Sequence, residues 1–175
     1  MFLNFILIGN IISLIGMSIF TLSSLAKTKK GLLIFQCISH TLTIIAQAFT
    51  TQFAGLVQDF INIVRNLFVI TNKNNKIISI ILITLGFTVG LSINYLFNNN
   101  DFVGYLPVFS TLIYSIIVMI PRINVIYIKS SMILTGTCWA IYSFCYLNYV
   151  MGAFNIVAIC IAISQILIIL LKKKK

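Results

Sequence analysis

Long apolar runs alternate along this chain with short polar breaks, and each run has the length of a membrane span, which takes about 20 mostly apolar residues in a helix. Reading from break to break predicts seven spanning helices: Phe2–Ala26, Gly31–Thr50, Phe53–Thr71, Ile77–Phe97, Phe102–Ile120, Ser131–Asn148 and Tyr149–Leu171. The breaks are Lys27-Thr28-Lys29-Lys30, Thr51-Gln52, Asn72 through Lys76, Asn98 through Asp101, Pro121 through Ser130, a bare turn near Asn148, and the tail Lys172–Lys175. The expected fold class is an all-α membrane protein.

Composition strengthens this reading. The chain is 60% hydrophobic and only 8% charged, against roughly 25% charged in a soluble domain. Its net charge of +10 forms no groove-lining patch, so nucleic acid is not an expected partner. The basic residues instead cluster in alternate breaks. The first, third and fifth breaks and the tail hold eleven of the twelve Lys and Arg residues, and the fourth holds Asp101. Cytoplasmic loops carry the excess of Lys and Arg, which predicts an N-terminus outside and a C-terminus in the cytoplasm. The run from Phe2 to Ala26 lacks a basic leader and exceeds the roughly 7–15 residues of a signal-peptide core, so no cleaved leader is expected, although Ser24-Leu25-Ala26 has the form of a cleavage site. The cysteines Cys37, Cys138, Cys145 and Cys160 all fall in apolar runs with no metal-ligand spacing, so they read as packing residues. Neither metal nor cofactor is expected.

Seven spans divide as three, one and three. Helices one and five start on the same side, as do helices three and seven. This predicts two parallel three-helix units, residues 1–76 and 101–175, joined by a linker helix at 77–100. Such repeats are related by an axis along the membrane normal. Gly55 and Gly152 each fall early in the third helix of their unit, where small residues permit close approach.

Polar side chains inside a span are costly and usually face the bundle interior. At 100° per residue, Gln36, Ser39, His40, Thr43, Gln47 and Thr50 share one arc of helix two. Gln58, Asp59, Asn62, Arg65 and Asn66 share one arc of helix three, with Gly55 in the same sector. Helix one aligns Asn10, Ser13, Met17, Thr21 and Ser24. Helix five aligns Pro107, Ser110, Thr111 and Tyr114. Helix six aligns Ser131, Thr135, Cys138, Tyr142 and Cys145, flanked by Trp139 and Tyr146. In helix four, Ser79, Thr84, Thr88 and Asn94 scatter, as suits a linker.

Folding helices two and three about Thr51-Gln52 sets Gln47 beside Gly55, Thr43 beside Asp59, His40 beside Asn62, and Gln36 beside Asn66. An unpaired Asp or Arg at a helix centre costs about 2.5–3.5 kcal/mol on insertion scales, so Asp59 and Arg65 need a reason. Two readings stand together: a buried network that locks helices two and three, or a polar site that contacts solute or protons. No nucleophile motif accompanies His40 and Asp59, so an enzyme is not expected.

The stretches Lys29-Lys30-Gly31-Leu32-Leu33-Ile34-Phe35-Gln36, Ile38-Ser39-His40, Gly55 and Ile63-Val64-Arg65-Asn66, followed by Tyr105-Leu106-Pro107, Trp139 with Ile141-Tyr142, and Gly152, resemble the YgjV-type bacterial inner-membrane proteins over nearly the whole chain. That family is grouped with the SWEET-like, PQ-loop and nicotinamide-riboside transporter superfamily. Pro121 through Lys129-Ser130 is similar to the proline-to-KS stretch of SWEET proteins. The resemblance implies the two-unit architecture, a bacterial cytoplasmic membrane location and a transport role. Helix one departs from the superfamily in lacking a proline, and Asn155 stands where relatives often carry an acid. The resulting expectation is a small-solute transporter working by rocking of two units. Asn10, Gln36, His40, Trp139 and Tyr142 are the candidate solute contacts, and Asp59, Asn62, Arg65 and Asn66 the buried network. Its expected partners are the bilayer and a small polar solute; a homo-oligomer is left open. The alternative is a non-transporting receptor or scaffold with a closed polar interior.

Overall fold

The computed structural model describes residues 2–73, 75–97 and 101–173. These form α1 (Phe2–Ser23), α2 (Lys29–Phe49), α3 (Phe53–Ile70), α4 (Lys76–Phe97), a 3-10 turn at Phe102–Gly104, α5 (Tyr105–Met119), α6 (Val125–Cys145) and α7 (Tyr149–Lys173). Met1, Asn74, residues 98–100 and residues 174–175, with the side chains of Phe2, Lys172 and Lys173, lie outside the described residues.

Among the described residues, six stretches are long and apolar enough to cross a membrane: Leu3–Ser23, Lys29–Phe49, Phe53–Ile70, Lys76–Phe97, Phe102–Met119 and Tyr149–Leu171. This is the pattern of a multi-pass membrane protein. The remaining helix, α6, is as long, but one face carries Lys129, Ser131, Thr135 and Ser143, all buried. Its opposite face exposes Tyr127, Leu134 and Ile141, so its average hydropathy understates an apolar exterior.

The sixth helix also starts earlier than the polar pattern predicts. Asn124 caps it, its Oδ1 accepting from the Ile126 N–H at 3.0 Å, and the helix runs through the stretch read as a loop. Lys129 is therefore a helical, 1% exposed residue and not a loop charge. At its other end the helix stops at Cys145 because Leu147 turns left-handed (φ 60°), and the Asn148 N–H closes back on the Ser143 carbonyl at 2.9 Å. The α2–α3 turn is built identically: Thr51 has φ 56°, and the Gln52 N–H donates to the Gln47 carbonyl at 2.9 Å. Both are the six-to-one bond that ends a helix on a left-handed residue.

Helix α1 packs on α2 and α7, α2 on α3, α3 on α5, α5 on α6, and α6 on α7. These six close a ring. Helix α4 lies outside it against α3 and α5, with Gly86 set on Ile61 and Gly90 on Gln58 and Val108. The ring interior is polar: Gln36, Asp59 and Arg65 are each 1% exposed. Its exterior is apolar, with Leu3, Ile77 and Leu171 outward. That inverts the distribution of a water-soluble fold and matches a surface solvated by lipid.

Helices α1 and α2 meet backbone to backbone in a tight seam. A Cβ at Gly9 would stand 2.7 Å from Thr50 Cγ2 and 2.9 Å from the Ala46 carbonyl oxygen. Backbone cannot yield as a flexible side chain can. Gly9→Val is therefore expected to destabilise the ring by about 1–3 kcal/mol, the usual cost of overpacking, read as a lowered unfolding midpoint in detergent.

Candidate functional site

The polar arcs of α2 and α3 meet inside the ring. Asp59 accepts three hydrogen bonds, from His40 Nδ1 at 2.7 Å, Thr43 Oγ1 at 2.6 Å and Gln47 Nε2 at 3.0 Å. All three donors lie on α2, one or two turns apart, so a single carboxylate binds successive turns of the neighbouring helix. His40 spends Nδ1 on Asp59. Its Nε2 makes no hydrogen bond among the described residues.

Arg65 sits about 9 Å deeper along α3, at 1.5 Å per residue. It does not pair with Asp59; the His40–Asp59 contact is the ion pair found among the described residues. Arg65 instead donates to neutral acceptors: Asn62 Oδ1 at 2.7 Å, Ser115 Oγ at 2.9 Å, and Asn66 Oδ1 at 2.8 and 3.1 Å. Its guanidinium lies 4.8 Å from the centre of the Tyr114 ring. Tyr114 in turn accepts from Gln36 Nε2 at 2.8 Å. Ser115 and Tyr114 bring α5 into the network; the α5 arc pointed to Tyr114, but nothing marked Ser115 as a partner of Arg65.

Between these two polar layers lie two small adjoining cavities. One, of about 40 Å³, is lined by residues including Gln36, His40, Asn62, Thr111, Tyr114 and Trp139. The other, of about 30 Å³, is lined by residues including Met17, His40, Thr43, Asp59 and Trp139. They share Phe20, His40, Trp139 and Asn155, and all six ring helices contribute a wall. Each has room for a few waters, since one water needs roughly 10–15 Å³ by this measure.

The candidate contacts thus divide. Gln36, His40 and Trp139 line the cavities. Asn10 is directed to the α6–α7 turn, donating to the Leu147 carbonyl at 3.1 Å and accepting from the Val150 N–H at 3.0 Å. Tyr142 accepts from the Gly55 N–H at 3.1 Å, fixing α6 to α3. Its ring is packed against Gly55, where a Cβ would meet it at 2.9 Å. Cys145, read as part of the inward arc of helix six, is exposed, because that arc drifts around the helix over its length. Asn155, Thr111 and Phe20 line the cavity and were not among the candidates; Phe20 and Asn155 carried no polar-arc signal.

At each end of the ring, contacts join the first three helices to the last three. At one end Asn148 Nδ2 donates to Gln52 Oε1 at 3.0 Å, beside the Tyr142–Gly55 and Asn10 contacts. At the other, Lys29 on α2 donates to the Ile120 carbonyl at the end of α5 (3.1 Å). Lys129 on α6 donates to the Ser24 carbonyl at the end of α1 (2.8 Å). Cations suit the carbonyl-rich ends of helices. Leu33, Val69, Val118, Met132 and their neighbours form an apolar layer at this end. Beyond it a wide recess of about 410 Å³ is lined by Lys29, Lys30, Leu33, Val69, Ile70, Asn72, Pro121 and Arg122.

No family model matches the chain, and no curated protein or solved structure matches it.

Proposed function

We propose that the protein is a small-solute transporter of the cytoplasmic membrane of a bacterium, built as two three-helix units flanking the linker helix α4. The single observation that carries this reading is the pair of adjoining cavities walled by all six ring helices, with contacts between the two units lying beyond them at both ends of the ring. Such a layout suits a carrier whose units open one end at a time around a fixed site.

Three features support the two-unit division. The ring contacts map onto themselves when α1, α2 and α3 are exchanged for α5, α6 and α7. The two left-handed turns share one register: Asp59 and Asn155 each lie seven residues beyond the turn residues Gln52 and Asn148, and those turn residues bond to each other. The Lys29 and Lys129 contacts are reciprocal, each reaching from the second helix of one unit to the end of the first helix of the other. With the N-terminus outside, as the loop charges suggest, the basic recess would be the cytoplasmic mouth. The resemblance to YgjV-type and SWEET-like proteins points the same way.

The rival reading is a static receptor or scaffold, which the smallness of the cavities favours; ligand pockets commonly span about 300–1,000 Å³. Transport is tested by a thermal-shift screen of purified protein against polar metabolites, followed by flux of each hit into proteoliposomes. Saturable flux of at least one hit is expected. Stabilisation by a hit that never crosses the membrane would favour the receptor.

A further inference from the structure

We infer that the transported solute is a small organic anion, held with its charged end toward Asn62 and Arg65; this rests on the transport reading above. The polar atoms that the cavity leaves unspent are mostly donors. Asp59 is the one carboxylate at the cavity, and His40, Thr43 and Gln47 already occupy it. No free carboxylate is left to receive a cation. Arg65, by contrast, is a buried guanidinium bonded only to neutral oxygens. It takes the acceptor ends of Asn62 and Asn66, which turns the remaining amino group of Asn62 into an unspent donor on the cavity wall.

Two further groups add donors to the lining, which also presents the Asn155 Oδ1 acceptor. Thr111 Oγ1 is fully buried with no partner and lines the same cavity. Trp139 also lines it, and its indole N–H makes no hydrogen bond among the described residues. Donors arranged before a fixed positive charge are the complement of a carboxylate or similar oxyanion.

The access route carries the same sign. Lys29, Lys30 and Arg122 line the recess at the basic end, and no acidic residue lines it. Topology alone puts lysine and arginine on the cytoplasmic side. It does not explain a guanidinium buried directly behind Asn62 and Tyr114, which line the cavity. A mouth of one sign with apolar walls concentrates the opposite charge.

Trp139, the sole tryptophan, is a built-in reporter. Purified protein is titrated with sodium acetate and sodium lactate, and separately with the neutral isosteres acetamide and lactamide, at pH 7.5 and matched ionic strength, following indole fluorescence. Both acids are ionised at this pH. The acids are expected to shift the emission saturably, with a Kd about tenfold or more below that of the amides, the scale of one charge-assisted bond. Arg65→Gln should bring acids and amides to within about threefold. If that variant does not fold, Lys29→Gln with Lys30→Gln supplies the second reading: acid binding should lose its salt dependence. Amides binding as well as acids would overturn the anion assignment and leave transport of a neutral solute standing. A response to neither class would overturn the assignment, and the flux assay would then decide the transport reading by itself.

Discussion

Solute flux through Asp59→Asn is expected to fall by about tenfold or more, a loss of the size seen when a charge needed in the rate-determining state is removed, while the protein stays folded. Asparagine keeps the shape of the aspartate, so packing against α2 is unchanged. One of its two ends now donates, and it cannot accept from His40, Thr43 and Gln47 together as the carboxylate does. Inter-helix hydrogen bonds in membranes average about 0.6 kcal/mol, and removing a buried charge relieves its desolvation, so the stability change is small. His40→Ala acts differently. It leaves the buried Asp59 carboxylate without its His40 hydrogen bond, a loss of about 1–3 kcal/mol or more for a buried charged acceptor. The double variant, with no charge left to strand, should recover much of that stability and none of the flux. Unfolding midpoints and proteoliposome flux for the three variants separate the two readings of this network. A purely structural lock predicts that the double variant regains flux together with stability; a working site predicts that the two part company.

Much of this site was legible before any coordinates, for a definite physical reason. A polar side chain in a span must turn away from lipid, so the arcs on α2 and α3 fixed which faces meet. Gln36, Ser39, His40, Thr43 and Gln47 are indeed buried, as are Asp59, Asn62, Arg65 and Asn66. Folding α2 onto α3 about Thr51-Gln52 matched Thr43 to Asp59 and Gln36 to Asn66, and both pairs are bonded, at 2.6 and 3.5 Å. The side chains then reach beyond their own level. His40 bonds Asp59 rather than Asn62, because an imidazole seeks the carboxylate one turn away.

What stayed hidden depends on long-range geometry. A period gives the direction of a side chain within its helix but not the partner across the ring, so Asn10 and Tyr142 read as cavity residues although each is spent on joining helices far apart in the chain. Lys129 is the sharpest case. Its charge made the start of the sixth helix read as a loop, and only the open carbonyl of Ser24 on α1 gives that charge a place inside a helix. The apolar walls Phe20 and Met132 carry no polar signal and emerge only with the cavity they line.

If the two units rock, tying them together at one end must stop transport. The Gln52–Asn148 contact crosses between the units at the end away from the lysines, and its side chains fall within reach of a short linker. The native thiols at Cys37, Cys138, Cys145 and Cys160 are free and partly or fully exposed, so the test needs a background in which all four are replaced. In that background, Gln52→Cys with Asn148→Cys joined by a reducible bis-thiosulfonate linker should lose flux by about tenfold or more and regain it on reduction, because alternating access is gated by the motion itself. A matched pair inside the first unit supplies the comparison. Phe5 on α1 and Phe49 on α2 stack with ring centres 6.0 Å apart, and these helices move together when a unit moves as a rigid body. Phe5→Cys with Phe49→Cys, linked in the same way, should leave flux near that of the unlinked protein. Equal loss from both pairs would mean that motion within a unit drives transport; loss from neither would mean that the solute passes without the units parting at Gln52 and Asn148.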